Sequence, residues 1–387
     1  MSKPTDQAAF EYIWRFGSGR AKLLLTRIDG NRITPSRLSK SFALPRSFAL
    51  PESAENPTFS RTRLPMQQVT LQQPGEFVAS DVPFPNQTDD QVLVRVRTIG
   101  VCGTDLHAFA GRQPYFTYPR ILGHELGVEV LDAPSGCGLS AGDICALEPY
   151  LWCGKCHSCK LGRENCCESL QVMGVHCDGG MREQIVVPAD RLHKSTALSL
   201  DQLALVETLG IGAHAIDRSE LHEGQSALIV GAGPIGLAVT QFAMTTGADI
   251  TVLELNPQRR EFVDQFDITA AESAEGKRFD VVFDATGSPK AMEASFDYVE
   301  FAGTLVLVSL VQARISFDDP TFHRREMTIK SSRNSAGLFP RIMAMIDRGE
   351  IDTKPWVSHR LELAEVPDKF PQLPEQPDLV KAIIEIP

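Results

Sequence analysis

Residues 226–254, SALIVGAGPIGLAVTQFAMTTGADITVLE, constrain the fold more than any other stretch of the chain. The apolar run 227–230 ends in Gly231, Gly233 and Gly236, and the residues around and after them put Ile235, Ala238, Val239 and Phe242 on one helical face. That succession reads as strand, tight turn and helix. Glycines at those positions let the backbone turn sharply and approach a pyrophosphate, while the new helix aims free N–H groups and its positive dipole end at the phosphates. Gly231, Gly233, Ile235 and Gly236 are therefore candidate cofactor contacts. A second strand, 250–253, runs into Glu254, whose carboxylate can accept hydrogen bonds from a ribose diol. Glycines also serve plain loops. The strand before, the helix after and the acid closing the next strand are what mark a dinucleotide site.

The same alternation continues on both sides. Strands are expected at 227–230, 250–253, 281–284 and 304–311 with helical patterns between them, which implies a parallel, doubly wound sheet with right-handed crossovers. From 66 to about 214 the chain instead carries short β-type runs such as 92–98 and 127–131, broken by Gly and Pro. After Arg333 come one helix, 338–348, and short strands. The expected class is α/β, with a β-rich domain over 66–214, a doubly wound nucleotide domain over 215–335, and 336–387 returning to the first domain. A chain of 387 residues is long enough for two such cores. No apolar run approaches the roughly 20 residues a membrane span needs, and a net charge of -11 gives no footing for nucleic acid.

Residues 1–65 differ in chemistry from the rest. They hold 11 basic against 5 acidic residues, leaving 27 against 44, a net of -17, for residues 66–387. SFALP occurs twice in them, and they show no sustained helical or strand period. An extension that is disordered is one expectation and a transit peptide another, although Asp6, Glu11 and Asp29 argue against the latter. Met66 opens a segment that looks like a domain's first strand, so a mis-assigned start with the true one at Met66 is the favoured expectation.

Of nine cysteines, five lie between Cys153 and Cys167. Cys153, Cys156 and Cys159 stand at CxxCxxC spacing, followed by Cys167, and four thiolates converging in one loop (153–167) suit a closed tetrahedral zinc with a structural role. Cys166 is the spare. A zinc ribbon for nucleic acid is the competing use, which the acidic balance disfavours. A second constellation is dispersed: Cys102 in VCGTDLH, His124 in GHE and Glu207 in VETLGIGAHA. No spacing rule joins these three, and each alone reads as structural: a packed thiol, a turn cap, a solvated helix charge. Beside a dinucleotide fold they offer a thiolate, an imidazole and a carboxylate, a set that suits a metal with an open position for substrate. Glu125 is either an alternative ligand or a group that orients one.

Taken together, CGTDLH, the GHE turn, GDICALEP, the four-cysteine loop, GGMREQIVVPAD, ETLGIGAHA, the glycine turn and the closing helix resemble the zinc-dependent medium-chain dehydrogenases, the alcohol, sorbitol and threonine dehydrogenase group. The likeness runs from Met66 to the end. It implies a GroES-like catalytic domain, a Rossmann domain and a cleft between them. By this resemblance Cys102 and His124 match the first two ligands of a catalytic zinc, and Glu207 falls where the family has Cys or Glu. Glu125 matches the glutamate that binds metal in the polyol enzymes, so the third ligand stays open between the two glutamates. Thr104 matches the hydroxyl residue that touches the substrate alcohol, His107 the relay histidine by the cofactor ribose, Glu254 the acid typical of NAD users and Arg259 the adenosine-side arginine. The segments HRREMTIKSSRN and DTKPWVSHR are most similar to a bacterial branch acting on sugar acids and polyols, including galactonate or gulonate 5-dehydrogenases.

The resemblance implies an enzyme that oxidises a secondary alcohol, a polyol or sugar acid, to a ketone with zinc and NAD, acting in the cytoplasm as a homo-oligomer, dimer or tetramer, without membrane or nucleic-acid partners. Ser309 would present backbone groups to the carboxamide. Arg333 and Asn334 would lie near the cleft, where an arginine fork suits a carboxylate; a structural salt bridge for Arg333 is the competing reading. Two other uses of the same residues are a carbonyl reductase and a cofactor-binding protein without chemistry. The passage between Phe266 and Phe279 is shorter than the family's, which puts the Rossmann helix there in doubt.

Overall fold

The computed structural model describes residues 10–17, 20–27, 65–114 and 116–387. The chain separates into a unit Met1–Thr62 and a unit Arg63–Pro387. In the first, Phe10–Gly17 and Arg20–Arg27 pair antiparallel, with Phe10 opposite Arg27 and Gly17 opposite Arg20. The sequence reading gives this stretch no strand. The period is there in hindsight, since Phe10, Tyr12, Trp14 and Phe16 alternate with other residues as a strand requires. The expectations about the remainder of residues 1–64 lie outside the described residues.

In the second unit, two sheets carry the architecture. The strand Gln91–Gly100 is the spine of a seven-stranded sheet, pairing antiparallel with Glu125–Asp132, with Gln184–Pro188 and with Lys381–Glu385. The last of these is drawn from the C-terminal end of the chain, and Val357–Glu362 lies beside it. Buried Val92, Val94 and Val96 alternate along the spine, the period of a strand with one face in the core.

The other sheet is six-stranded and parallel, in the spatial order Thr269–Ala271, Asp249–Leu253, Ser226–Val230, Phe279–Asp284, Val299–Leu307, Thr328–Ser331. The first strand in sequence lies inside, with neighbours added to either side, so the order reverses at its edge and leaves a crevice there. Ser226–Val230 is buried on both faces, and such strands read as continuous apolar runs. The strand expected at 304–311 is instead Val299–Leu307. Its apolar continuation is loop, where Leu310 is exposed, so apolarity there reflects something other than sheet burial. Between Ala271 and Phe279 there is a turn and no helix.

The helix Leu200–Ser219 joins the two halves. Ser199 caps it, with Gln202 reaching back to the Ser199 N–H in a reciprocal capping box. The expected boundary at 214/215 falls inside this helix. The helix Phe339–Asp347 shares its core with the parallel sheet, burying Phe339, Ile342 and Ile346 against the same cluster as Ile229 and Phe283.

Candidate active site

The glycine turn closes the strand Ser226–Val230. Gly231 takes a φ of 96°, and a Cβ on Gly236 would stand 1.8 Å from the Gly231 carbonyl oxygen, so the helix Pro234–Met244 can start this close to the turn only without a side chain there. Gly233 is the N-cap and Pro234 follows at the first position, where its missing N–H costs nothing. Ile235 and Gly236 begin the helix above the turn. Glu254 ends the neighbouring strand and is held from two sides: Oε2 accepts from the Ala232 N–H at 2.8 Å and Oε1 from the Asn256 N–H at 2.8 Å. Arg259 Nη1 lies 4.0 Å from Glu254 Oε2 and near Gly233. Ser309 donates both its N–H and its hydroxyl to Asp284, so of its backbone groups the carbonyl is the one left for a ligand.

Across the sheet spine stands the second constellation. Cys102 is the N-cap of the helix Gly103–Phe109, and its N–H donates to Asp105 Oδ2 at 2.9 Å. Thr104 and His107 are three apart on that helix and share a face. His124 and Glu125 lie where the chain enters the strand Glu125–Asp132, next to Gly100 on the spine. The ligand atoms of Cys102, His124 and Glu125 all lie within 4.8 Å of one another. Glu207, buried on the long helix, accepts a hydrogen bond from the Tyr150 hydroxyl and is outside that group of three, though its charge is felt at His124.

Three residues the sequence reading passed over complete the surroundings. Asp105, 1% exposed, turns Oδ1 to His124 Nδ1 at 3.6 Å. Lys381 is as deeply buried, with Nζ 2.6 Å from Glu125 Oε1, 2.5 Å from Oε2 and 3.2 Å from Thr208 Oγ1. Tyr150 holds Glu207. Asp105 had a signal, since an acid three residues into a helix commonly caps it. Lys381 had none, standing 256 positions from its partner.

The electrostatics follow from this crowding. Burial alone would lower the pKa of His124, but Asp105, Cys102 and Glu207 drive it well above its ordinary value. Burial raises Asp105 and Glu207. Burial also opposes the ionised form of Glu125, but Lys381 outweighs it and holds Glu125 below the usual range. One thiol and three carboxyls thus share a buried space with one lysine. Asp105 Oδ1 and His124 Nδ1 find no hydrogen-bond partner there. A divalent cation fits this set, because it supplies positive charge among the carboxyls and the thiol and gives the imidazole a partner.

Gly100 belongs to the same packing. A Cβ there would stand 2.0 Å from Glu125 Oε2 and 3.0 Å from Glu125 Cβ. Gly100→Ala is expected to displace Glu125, lower stability by about 2 kcal/mol as overpacking does, and weaken metal retention about tenfold or more. Thermal unfolding and chelator competition check this, and wild-type values in both would show that Glu125 can move aside freely.

The four-cysteine lobe is separate. Sγ atoms of Cys153, Cys156, Cys159 and Cys167 also lie within 4.8 Å of one another, while Cys166 is exposed. The N–H of Cys156 points at Cys153 Sγ at 3.3 Å and that of Cys153 at Cys167 Sγ at 3.4 Å. Backbone N–H groups of Lys155 and Cys156 hold Cys153 down to about 6, while loss of solvent among the thiols pushes Cys159 up to about 12. Sulfurs spaced so closely and offered N–H donors match a tetrahedral zinc, whose ligands stand about 3.8 Å apart at a bond length of about 2.3 Å.

Comparison with known proteins agrees with this anatomy. Residues 88–197 match the family model of the alcohol dehydrogenase GroES-like domain, and residues 234–348 that of zinc-binding dehydrogenase. The chain is 34% identical over 335 residues to L-galactonate-5-dehydrogenase of Escherichia coli K12, covering 82% of this chain and 98% of that one. A zinc-binding dehydrogenase from Sinorhizobium meliloti 1021, solved bound to NADP, superposes with a TM-score of 0.79 at 27% identity, over 84% of this chain and all of that one. An alcohol dehydrogenase from Escherichia coli CFT073, solved with NADH, superposes with a TM-score of 0.78 at 25% identity, over 83% and 99%.

Proposed function

This chain belongs to the zinc-dependent alcohol dehydrogenase family of GroES-like and zinc-binding dehydrogenase domains, and from that premise we propose that it oxidises a secondary alcohol of a sugar acid or polyol to the ketone, with NAD as hydride acceptor. The observation that carries this reading is the meeting of Cys102, His124 and Glu125 in one buried, charge-unbalanced space. Zinc held there by Cys102, His124 and one of the two glutamates, with a second zinc on the four cysteines, is the assignment we favour. When bound, the zinc supplies a Lewis acid toward the alcohol oxygen and the nicotinamide a hydride acceptor. Thr104, half-buried at the start of the helix, takes the hydroxyl proton. His107 passes it to solvent, and both burial and the Arg112 charge keep that imidazole below its ordinary pKa and so able to accept. Asp105 places its carboxyl 3.6 Å from the His124 ring, and Lys381 keeps Glu125 ionised. A panel of sugar acids and polyols assayed for NADH formation tests the reading; activity on none of them would end it. The free thiols of all nine cysteines suit a reducing compartment, so the reading extends to a cytoplasmic enzyme.

Glu254 supports NAD over NADP. Its carboxylate is pinned beside the glycine turn, where a ribose 2′-phosphate would bring like charges together. A preference of about a hundredfold in kcat/KM is expected, the scale of a close like-charge contact, and Glu254→Ser is expected to erase most of it. A wild-type preference for NADP would place Arg259 in command of the pocket instead.

Arg333 supports an acidic substrate. Its charge is felt at His176, whose pKa is lowered first by burial and then by Arg333 and Arg120. Arg333→Ala is expected to raise KM for a sugar acid about thirtyfold, the worth of a charged hydrogen bond, and to leave the matching uncharged polyol unchanged. Equal effects on both would remove the carboxylate role.

A further inference from the structure

The four-cysteine lobe leaves its domain between the paired strands Tyr150–Leu151 and Gln171–Val172. Its sulfurs account for its internal order, yet one side chain within it faces outward to other elements. Asn165 lies in the turn Glu164–Cys166, between the third and fourth cysteines, and is 3% exposed. Its amide nitrogen donates to the Arg333 carbonyl at 2.9 Å and stands 3.2 Å from His214 Nε2. A carbonyl can only accept, so the amide must present nitrogen to Arg333, and His214 Nε2 is then the acceptor. Burial keeps His214 below its ordinary pKa, consistent with a neutral ring. His214 is on the long helix, two turns beyond Glu207. Arg333 follows the edge strand Thr328–Ser331 of the parallel sheet. One amide therefore joins the lobe, the helix that carries Glu207 and the loop that carries Arg333.

That loop needs fastening. Ser332 N–H donates to the Leu307 carbonyl at 2.9 Å, which secures the side toward the sheet. Asn334 then takes a φ of 50°, in the left-handed region that asparagine adopts more readily than most residues. The Asn165 contact falls on the residue between these two.

We propose that Asn165 is a positioning residue: through the Arg333 carbonyl it holds loop 332–335, and with it the Arg333 side chain, in place at the cleft, so that order in the four-cysteine lobe is transmitted to the substrate end. Its effect on substrate binding rests on the carboxylate role of Arg333 given above. The tether itself does not.

The experiment uses the zinc-loaded full chain with Asn165→Ala and Asn165→Asp, the latter nearly isosteric and turning an oxygen toward the Arg333 carbonyl. Zinc per chain is counted, hydrogen exchange is followed in a peptide covering 328–338, and kinetics are measured with a sugar acid. Zinc content is expected to match wild type and exchange in 328–338 to quicken about tenfold, the worth of one buried hydrogen bond, with strand Ser226–Val230 unchanged. KM is expected to rise about tenfold with kcat within about twofold, and Asn165→Ala added to Arg333→Ala to raise KM by less than about twofold more, as for residues acting through one another. Unchanged exchange in a variant with full zinc overturns the proposal, and Asn165→Asp decides if the alanine variant does not fold. Faster exchange with KM unmoved in both Asn165→Ala and Arg333→Ala would keep the tether and discard the carboxylate role.

Discussion

Cys102→Ala is expected to lower kcat/KM for alcohol oxidation by about a thousandfold or more, since Lewis-acid stabilisation supplies several kcal/mol of the barrier reduction, while NADH binds with its wild-type affinity. The two halves of this result come from separate places. Cys102 caps the helix Gly103–Phe109 beside His124 and Glu125, whereas the glycine turn and Glu254 lie on the parallel sheet and share no hydrogen bond with it. The thiol is also poorly replaced. Asp105 already takes the Cys102 N–H, so an alanine keeps the helix start and removes only the sulfur. Turnover by steady-state NADH formation and cofactor affinity by calorimetry check the two halves together. Undiminished turnover in this variant would refute the proposed metal site, and loss of NADH affinity would show that the variant is misfolded rather than missing a ligand.

Cys153→Ala, by contrast, is expected to act on stability. The lobe's small cluster consists of Tyr150, Leu170, Val172 and Val175 with the cysteines themselves, Phe116 and Trp152 lying partly buried against it, a small core for so long an excursion. Structural zinc in small peptides supplies on the order of 10 kcal/mol of folding free energy, and a loss of even a third of that lowers the Tm of a domain this size by about 10 °C. Turnover below the transition should persist, with KM raised through the Asn165 contact. Differential scanning calorimetry with metal analysis checks it. A variant with one zinc fewer and an unchanged Tm would mean the lobe folds without its metal.

The nucleotide half was legible because its chemistry is local: a strand, a turn and a helix within thirty residues leave a pattern, and Gly236 has to be glycine for a reason confined to that pattern. The four cysteines were legible for the same reason. The proposed metal site was legible only in part. Cys102, His124 and Glu125 could be singled out as residue types, but their convergence depends on the antiparallel register that sets Gly100 against Glu125, which no spacing expresses. The partners that set the charges, Lys381 and Tyr150, come from remote strands and show no sequence period pointing at the site. The strand at 304–311 failed differently, since apolar residues such as Leu310 lie in an exposed loop and mimic a buried run.

The burial of Lys381 against Glu125 also sets an order of events. Glu125 precedes its counter-charge by 256 positions, Lys381 standing on the strand Lys381–Glu385 that docks on Gln91–Gly100. Until that strand arrives, the growing chain holds a carboxylate that its own fold would bury without compensation, at a cost of several kcal/mol. Docking of the strand Lys381–Glu385 and ionisation of the buried Glu125 are therefore coupled. Shortening the chain by its last strand would act first on the charge balance at Glu125, far from the point of truncation in sequence and next to it in space.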